Sequence, residues 1–351
     1  MTGDPSPEAG LSSEPPGPAA AIDHGGDLAA ATAAFGMPAE DWLDLSTGIN
    51  PHSYLVLPPH PEAWSRLPDT GVTMRLLAAA ARCYGVADPS LVVAAPGTQA
   101  LIQWLPLLVG RTRVAVLSPT YAEHAGAWRA AGHTVVEVGG LAALKAAQPG
   151  VAVIVNPNNP DGRRVRPADI LDLTEQMAER RGLVMVDEAF ADTLPEISVA
   201  AQAGLPGLVV LRSFGKFFGL AGLRLGFALA WPDMAEALRS ALGPWAVSGP
   251  AAAVATGALE DDTWIAITRQ RLRLSMEQLH ALLQRSGLEV LGGTSLFVLT
   301  AHDRAPDLHA HLARQGIWVR RFSDHPRWLR FGLPPEGSWE RLEVGIKSFP
   351  G

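Results

Sequence analysis

GLVVLRSFGKFFGLAGLRLGFALA, residues 207–230, holds two apolar runs joined by a glycine-rich turn. The runs GLVVLRS (207–213) and LRLGFALA (223–230) are nearly continuous in Val, Leu and Ala, the texture of strands covered on both faces of a sheet. The same texture recurs in LVVAAPG (91–97), RVAVLSP (113–119), HTVVEV (133–138), VAVIVNP (151–157) and GLVMVDEAF (182–190). Helical patterns lie between the runs, at 98–109, 121–131, 167–181 and 193–203. Strand–helix alternation predicts an α/β fold with a mostly parallel sheet.

Past residue 232 the texture changes. Residues 262–286 read as one long helix, followed by LEVLGGTSLFVLT, a helix at 305–315, IWVRRF and WLRFGL, the pattern of a smaller α+β domain. The expected division is a disordered tail at 1–21, a segment at 22–55, a large domain at 56–235 and a small C-terminal domain at 236–351. Residues 22–55 precede the large sheet and could add to it; they are assigned to pack on the small domain and the active site.

Composition narrows the function classes. The 351 residues are 48% hydrophobic, enough for a substantial core, and the formal net charge of -7 comes without a lysine-rich block. Nucleic acid is therefore not an expected partner. The single cysteine, Cys83, excludes an internal disulfide and suits a reducing compartment. Ten histidines occur without H-E-x-x-H or C-x-x-C spacing, so no metal site is expected. Residues 1–21 lack the basic start and apolar core of a signal peptide. Residues 241–259 carry no charge, but Gly and Pro interrupt them, and they read as a packed loop and helix rather than a membrane span. The expected compartment is the cytoplasm.

The turn inside 207–230 carries the chemistry. Ser213, Lys216 and Arg224 stand in an apolar, glycine-rich setting. Burial disfavours the ammonium form of Lys216, and a neutral amine attacks a carbonyl to form a Schiff base. Arg224 offers a planar fork of donors that complements phosphate. An aldehyde that also bears a phosphate points to pyridoxal 5'-phosphate (PLP).

Ligands of open α/β sheets bind beyond the carboxyl ends of the strands, which directs attention to the polar residues ending the other runs. Asp187 closes an apolar strand and needs a partner. That partner is a structural cation or helix cap, or else a protonated pyridine nitrogen; Lys216, at the end of the next strand, favours the nitrogen. Asn159 in NPNNPDG (156–162) either builds a turn or donates its amide to a phenolate oxygen, with Asn156 and Asn158 the better turn formers. Gly97, Thr98 and Gln99 open a helix after a strand, which is either an ordinary connection or a phosphate site. Tyr121 either packs in the core or stacks on a flat heteroaromatic ring.

Taken together, D-E-A-F at 187–190, S-F-G-K at 213–216 and an arginine eight residues after the lysine resemble the fold-type I PLP enzymes, the aspartate aminotransferase superfamily. The resemblance implies Lys216 as the covalent anchor of PLP, Asp187 at its ring nitrogen and Asn159 at its ring oxygen. It implies Ser213, Arg224 and the turn Gly97–Gln99 at its phosphate, Tyr121 stacked on its ring, and a homodimer with active sites near the interface. Within the superfamily, HGGD (24–27), LDLSTGINP (43–51), DEAF and PWAVSGPA (244–251) are most similar to the L-threonine-O-3-phosphate decarboxylases of cobalamin biosynthesis, with histidinol-phosphate aminotransferases as close relatives. Three positions depart from the pattern: Leu67 where a tyrosine usually reaches the partner's cofactor phosphate, Asp161 where Thr is common, and APGTQ in place of a glycine-rich turn. Phe190 stands where many relatives carry tyrosine.

A small phosphorylated substrate needs anion anchors. Arg330 matches the position that meets a substrate carboxylate in the superfamily, and Arg320, His24 and Asn50 are candidates for phosphate or carboxylate. Arg321 alternates to the other face of its strand. The implied reaction is decarboxylation of L-threonine O-3-phosphate to (R)-1-amino-2-propanol O-2-phosphate. Transamination of a phosphorylated amino acid such as histidinol phosphate is the alternative, and a non-catalytic PLP-binding protein the third reading.

Overall fold

The computed structural model describes residues 24–350; the tail assigned to 1–21 lies outside the described residues. Among the described residues, twelve strands form two sheets. In chain order they are β1 (Leu43–Leu45), β2 (Val92–Ala95), β3 (Arg113–Leu117), β4 (Thr134–Val138), β5 (Val151–Val155), β6 (Leu183–Asp187), β7 (Leu208–Ser213), β8 (Gly226–Ala230), β9 (Glu289–Thr294), β10 (Phe297–Ala301), β11 (Ile317–Arg321) and β12 (Trp328–Gly332).

The larger sheet has the order β2-β8-β7-β6-β5-β3-β4 and contains all seven apolar runs of the sequence. β8 runs antiparallel to both neighbours, and the remaining pairings are parallel. Its side chains alternate between two hydrophobic clusters: Val184 and Val186 face one, Leu183 and Met185 the other. Both faces are therefore covered, which is why the strands lack polar alternation.

The smaller sheet has the order β1-β11-β12-β10-β9. β1 comes from the 22–55 segment and pairs in parallel with β11, so this segment adds to the smaller sheet and not to the larger one. Leu43 and Leu45 are buried and Asp44 is half-buried, the alternation of a strand with one covered face.

The helices follow the sequence pattern with one correction. Thr98–Trp104, Ala122–Ala130, Pro167–Ala178, Asp262–Arg285 and Ala305–Arg314 are helical, and Gly249–Glu260 is a helix after a loop. Residues 193–203 do not form the expected helix. They make short 3₁₀ turns at Pro195–Ile197 and Ala200–Gln202. The buried Glu188 draws the chain inward instead, accepting from Ser198 Oγ at 2.5 Å and from the Val199 N–H at 2.7 Å. Glu188 and Asp192 also accept from the buried Arg212 at 2.8 and 2.5 Å, beneath the ends of β6 and β7.

The loop 156–162 is where the two sheets meet. Gly162 has φ 70°, and a Cβ there would lie 2.0 Å from the carbonyl oxygen of Gly293 in β9. Gly162→Ala should cost at least ~2 kcal/mol, from left-handed strain plus a backbone clash. Chemical denaturation measures it; an unchanged midpoint would show that this contact does not hold the sheets together.

Candidate active site

The carboxyl ends of the larger sheet open onto a cavity of about 260 Å³. Asp187, Ser213, Lys216 and Arg224 line it from β6, β7 and the turn beyond. Thr98, Gln99, Tyr121 and Asn159 line it from the loops after β2, β3 and β5, and Arg330 from β12 of the smaller sheet. His24 stands at its edge, where a second, outer cavity of about 440 Å³ begins; His24, Tyr121, Asn159 and Arg330 line both.

Gly97 supports the wall from behind. Its φ of 86° suits glycine, and a Cβ would lie 2.8 Å from the Nη2 of Arg224. A Cβ on Gly226 would lie 2.5 Å from the backbone nitrogen of Thr98. The 97–99 turn, the start of β8 and the Arg224 guanidinium are thus in direct contact, and Ser213 ends the neighbouring strand. Backbone N–H groups beside a guanidinium form a cradle suited to phosphate.

Asp187 is buried, and both its oxygens accept hydrogen bonds: Oδ1 from the Ala189 N–H at 2.9 Å, Oδ2 from His124 Nε2 at 2.9 Å. Because the carboxylate only accepts, this bond assigns a proton to Nε2 of His124. His124 escaped the sequence reading. The available signal was its position three residues after Tyr121, on the first turn of helix Ala122–Ala130.

Lys216 is half-buried, and its amine is pushed down to about 8. Burial is the main cause; Arg330 and Arg224 push the same way, and Asp187 opposes them. Tyr121 is pushed up to about 12, chiefly by burial, so its hydroxyl stays protonated.

Arg330 is buried and joins three parts of the chain. Nη1 donates to Asn159 Oδ1 and Nη2 to the Ser46 carbonyl at 2.7 Å. The first bond occupies the oxygen of Asn159 and leaves its NH₂ as the donor end. Arg320 pairs with Arg330 across β11 and β12 and lines the outer cavity. Arg321 is exposed.

Asn50 lies elsewhere. It is buried, its amide donates to the Phe217 carbonyl at 2.8 Å, its Oδ1 accepts from the His52 N–H at 2.8 Å, and its backbone N–H donates to the Lys216 carbonyl at 2.9 Å. Its side-chain amide and backbone N–H are spent on the backbone that carries the lysine, and its side-chain oxygen on its own loop. Asn156 bonds to Val165, and Asn158 to Asp161 in its own loop and to Pro119 and Thr120 in the loop after β3. Asp161 also accepts from the Arg163 N–H at 2.9 Å. Leu67 is 65% exposed. Phe190 lines the cavity and meets Phe297 edge-on at 5.0 Å.

A poised amine, a braced carboxylate, an amide donor, an aromatic ring and a phosphate cradle around one cavity fit PLP group by group. Among the described residues no cluster of His, Cys, Asp or Glu is suited to a metal ion, and no helix is long and apolar enough to cross a membrane.

Comparison with known proteins agrees with this chemistry. The profile of the class I and II aminotransferases matches residues 42–349. Threonine-phosphate decarboxylase of Pseudomonas aeruginosa is 46% identical over 336 residues, 93% of this chain and 98% of that protein. Histidinol-phosphate aminotransferase 1 of Dechloromonas aromatica is 34% identical over 203 residues, 55% of this chain and 56% of that protein. The crystal structure of histidinol-phosphate aminotransferase from Sinorhizobium meliloti in complex with pyridoxal-5'-phosphate shares the fold, with a TM-score of 0.79 at 20% identity over 93% of this chain and 98% of that one. The chain therefore belongs to the class I and II aminotransferase family of fold-type I PLP-dependent enzymes and, within it, to the threonine-phosphate decarboxylases.

Proposed function

We propose that this protein decarboxylates L-threonine O-3-phosphate to (R)-1-amino-2-propanol O-2-phosphate and carbon dioxide, in cobalamin biosynthesis. The observation that carries the reading is the 46% identity to a threonine-phosphate decarboxylase along nearly the whole chain. The match to a histidinol-phosphate aminotransferase covers little more than half of it. Arg330 in the cavity of the lysine and Arg320, its pair across β11 and β12, in the adjoining outer cavity suit a substrate with two anionic ends.

When bound, the cofactor supplies a conjugated electron sink that makes bonds at the substrate α-carbon easier to break. The proposed roles of the chain's own residues follow from their surroundings. Lys216 would hold the cofactor covalently, and its amine, lowered to about 8 and so able to give or take a proton near neutral pH, moves a proton at the α-carbon. Asp187, braced by His124, meets the ring nitrogen. The NH₂ of Asn159 meets the ring oxygen and Tyr121 covers the ring. Ser213, Arg224 and residues 97–99 take the phosphate.

Arg330, fixed by Asn159 and Ser46, meets the substrate carboxylate, while Arg320 and His24 suit its phosphate. Such anchoring would fix the orientation of the substrate's α-carbon relative to Lys216. Asn50 acts at one remove, by holding the Lys216–Phe217 backbone.

The proposed division places the two sheets in a large domain at 56–235 and a small one at 236–351, with 22–55 on the small one. We also propose a cytoplasmic homodimer. Leu55, Leu57, Trp64, Leu67 and Trp245 are all at least 60% exposed, an apolar display that favours burial against a second copy.

Carbon dioxide release from threonine phosphate tests the main reading. Amino transfer to a keto acid without carbon dioxide would replace it with the aminotransferase reading. Lys216→Ala should lose roughly 10³-fold or more in turnover. After borohydride reduction the cofactor's mass should sit on the peptide holding Lys216, and labelling elsewhere would refute that assignment.

Arg330→Ala should raise KM roughly 100-fold, the scale of losing a buried charged partner. The cofactor should be retained; loss of both together would show the arginine to be structural.

The lysine also predicts a pH dependence. Its amine is lowered from 10.5 to about 8 in the folded apoprotein, so the unfolded chain binds more protons between those values. Apoprotein stability should gain from this group as pH rises from about 8 towards 10.5, and Lys216→Met should remove the gain. Denaturation midpoints of the two proteins with the same slope would contradict the lowered value.

A further inference from the structure

We propose that Glu123 is a positioning residue that latches His24 at the mouth of the cavity, where His24 meets the substrate phosphate; this builds on the decarboxylase reading. Glu123 stands in the first turn of helix Ala122–Ala130, and its side chain is 15% exposed. One carboxylate oxygen accepts from His24 Nε2 at 2.8 Å and the other from Gln99 Nε2 at 2.7 Å. Gln99 Oε1 accepts from the Tyr121 hydroxyl at 3.4 Å, and the rings of Tyr121 and His24 lie 6.1 Å apart. One carboxylate thus joins the N-terminal segment to two residues of the cofactor wall.

The location argues for a substrate role. His24 and Gly25 line both cavities at their junction. The segment is seated there by its backbone: the Gly26 N–H donates to Ser46 Oγ at 2.7 Å, and a Cβ on Gly25 would lie 2.4 Å from the Ser46 carbonyl oxygen. Arg330 and Lys216 line the inner cavity, where the carboxylate and α-carbon must sit, so the outer junction with Arg320 is left for the far, phosphorylated end. A freely exposed His–Glu pair contributes little. Here Gln99 already fixes the carboxylate, so less freedom is lost when His24 binds. With Nε2 committed to Glu123, the other ring nitrogen of His24, Nδ1, is left to face the substrate.

The test is a double-mutant cycle on the holoenzyme with threonine phosphate. Glu123→Ala and His24→Ala should each raise KM about tenfold, the scale of one charge-assisted hydrogen bond, with kcat changed less than about threefold. The double variant should be no worse than His24→Ala alone, and Glu123→Gln should fall between wild type and Glu123→Ala. Additive effects, an unchanged KM or a loss confined to kcat would overturn the latch. Hydrogen exchange over residues 24–36 without substrate gives a second readout. Glu123→Ala and Glu123→Gln should both speed it, and unchanged exchange in both would overturn the latch even if KM moves. If wild type releases no carbon dioxide from threonine phosphate, the decarboxylase reading fails, and the exchange result alone decides whether Glu123 holds His24.

Discussion

The buried guanidinium of Arg330 is the contact on which the site's assembly depends. It starts from β12 of the smaller sheet, reaches Asn159 in the loop after β5 of the larger sheet, and bonds the Ser46 carbonyl just beyond β1. Three stretches far apart in sequence thus converge on one side chain. Its charge also helps to depress the amine of Lys216, so the same residue shapes the cavity and sets its chemistry. Burying a cation this deeply is unfavourable unless its donors are satisfied. Here two carbonyl-type oxygens accept from Nη1 and Nη2, the buried Nε is left without a hydrogen-bond partner, and the second arginine, Arg320, stands opposite on the adjacent strand.

A second set of charges holds the opposite side. Arg212, Glu188 and Asp192 form a buried network beneath the ends of β6 and β7, one residue away from Asp187 and Ser213. Adjacent residues on a strand face opposite ways, so the alternation sends Asp187 and Ser213 towards the cavity and Glu188 and Arg212 away from it. The network also breaks the helical pattern of residues 193–203 near its middle, where the Ser198 hydroxyl and the Val199 N–H are committed to Glu188. Asp187 is itself steadied by His124, so an anion that must stay in place is braced from two directions.

The seven apolar runs were legible because a strand buried on both faces must be apolar at every position, and such runs have no other common use. The set Asp187, Ser213, Lys216 and Arg224 was legible because each residue ends or follows one of those runs. His124 and Glu123 were not. Each sits in the first turn of helix Ala122–Ala130, where a polar residue reads as a solvated surface, and only the tertiary placement of that helix brings them to Asp187 and Gln99. Asn50 was legible as important but not in its direction: its motif marks the chain near the lysine, while its amide turns to the backbone of Phe217.

By itself, the sequence determined the alternating α/β order, the residue types at the strand ends and the chemistry they share, because covalent spacing and the apolarity of buried strands are local properties. Tertiary structure alone decided which sheet β1 joins, that Arg330 spans both sheets, and that His24, Glu123 and Gln99 form one hydrogen-bonded chain. Those facts rest on contacts between residues up to 284 positions apart, as with Ser46 and Arg330, and no local pattern encodes the direction in which such side chains turn.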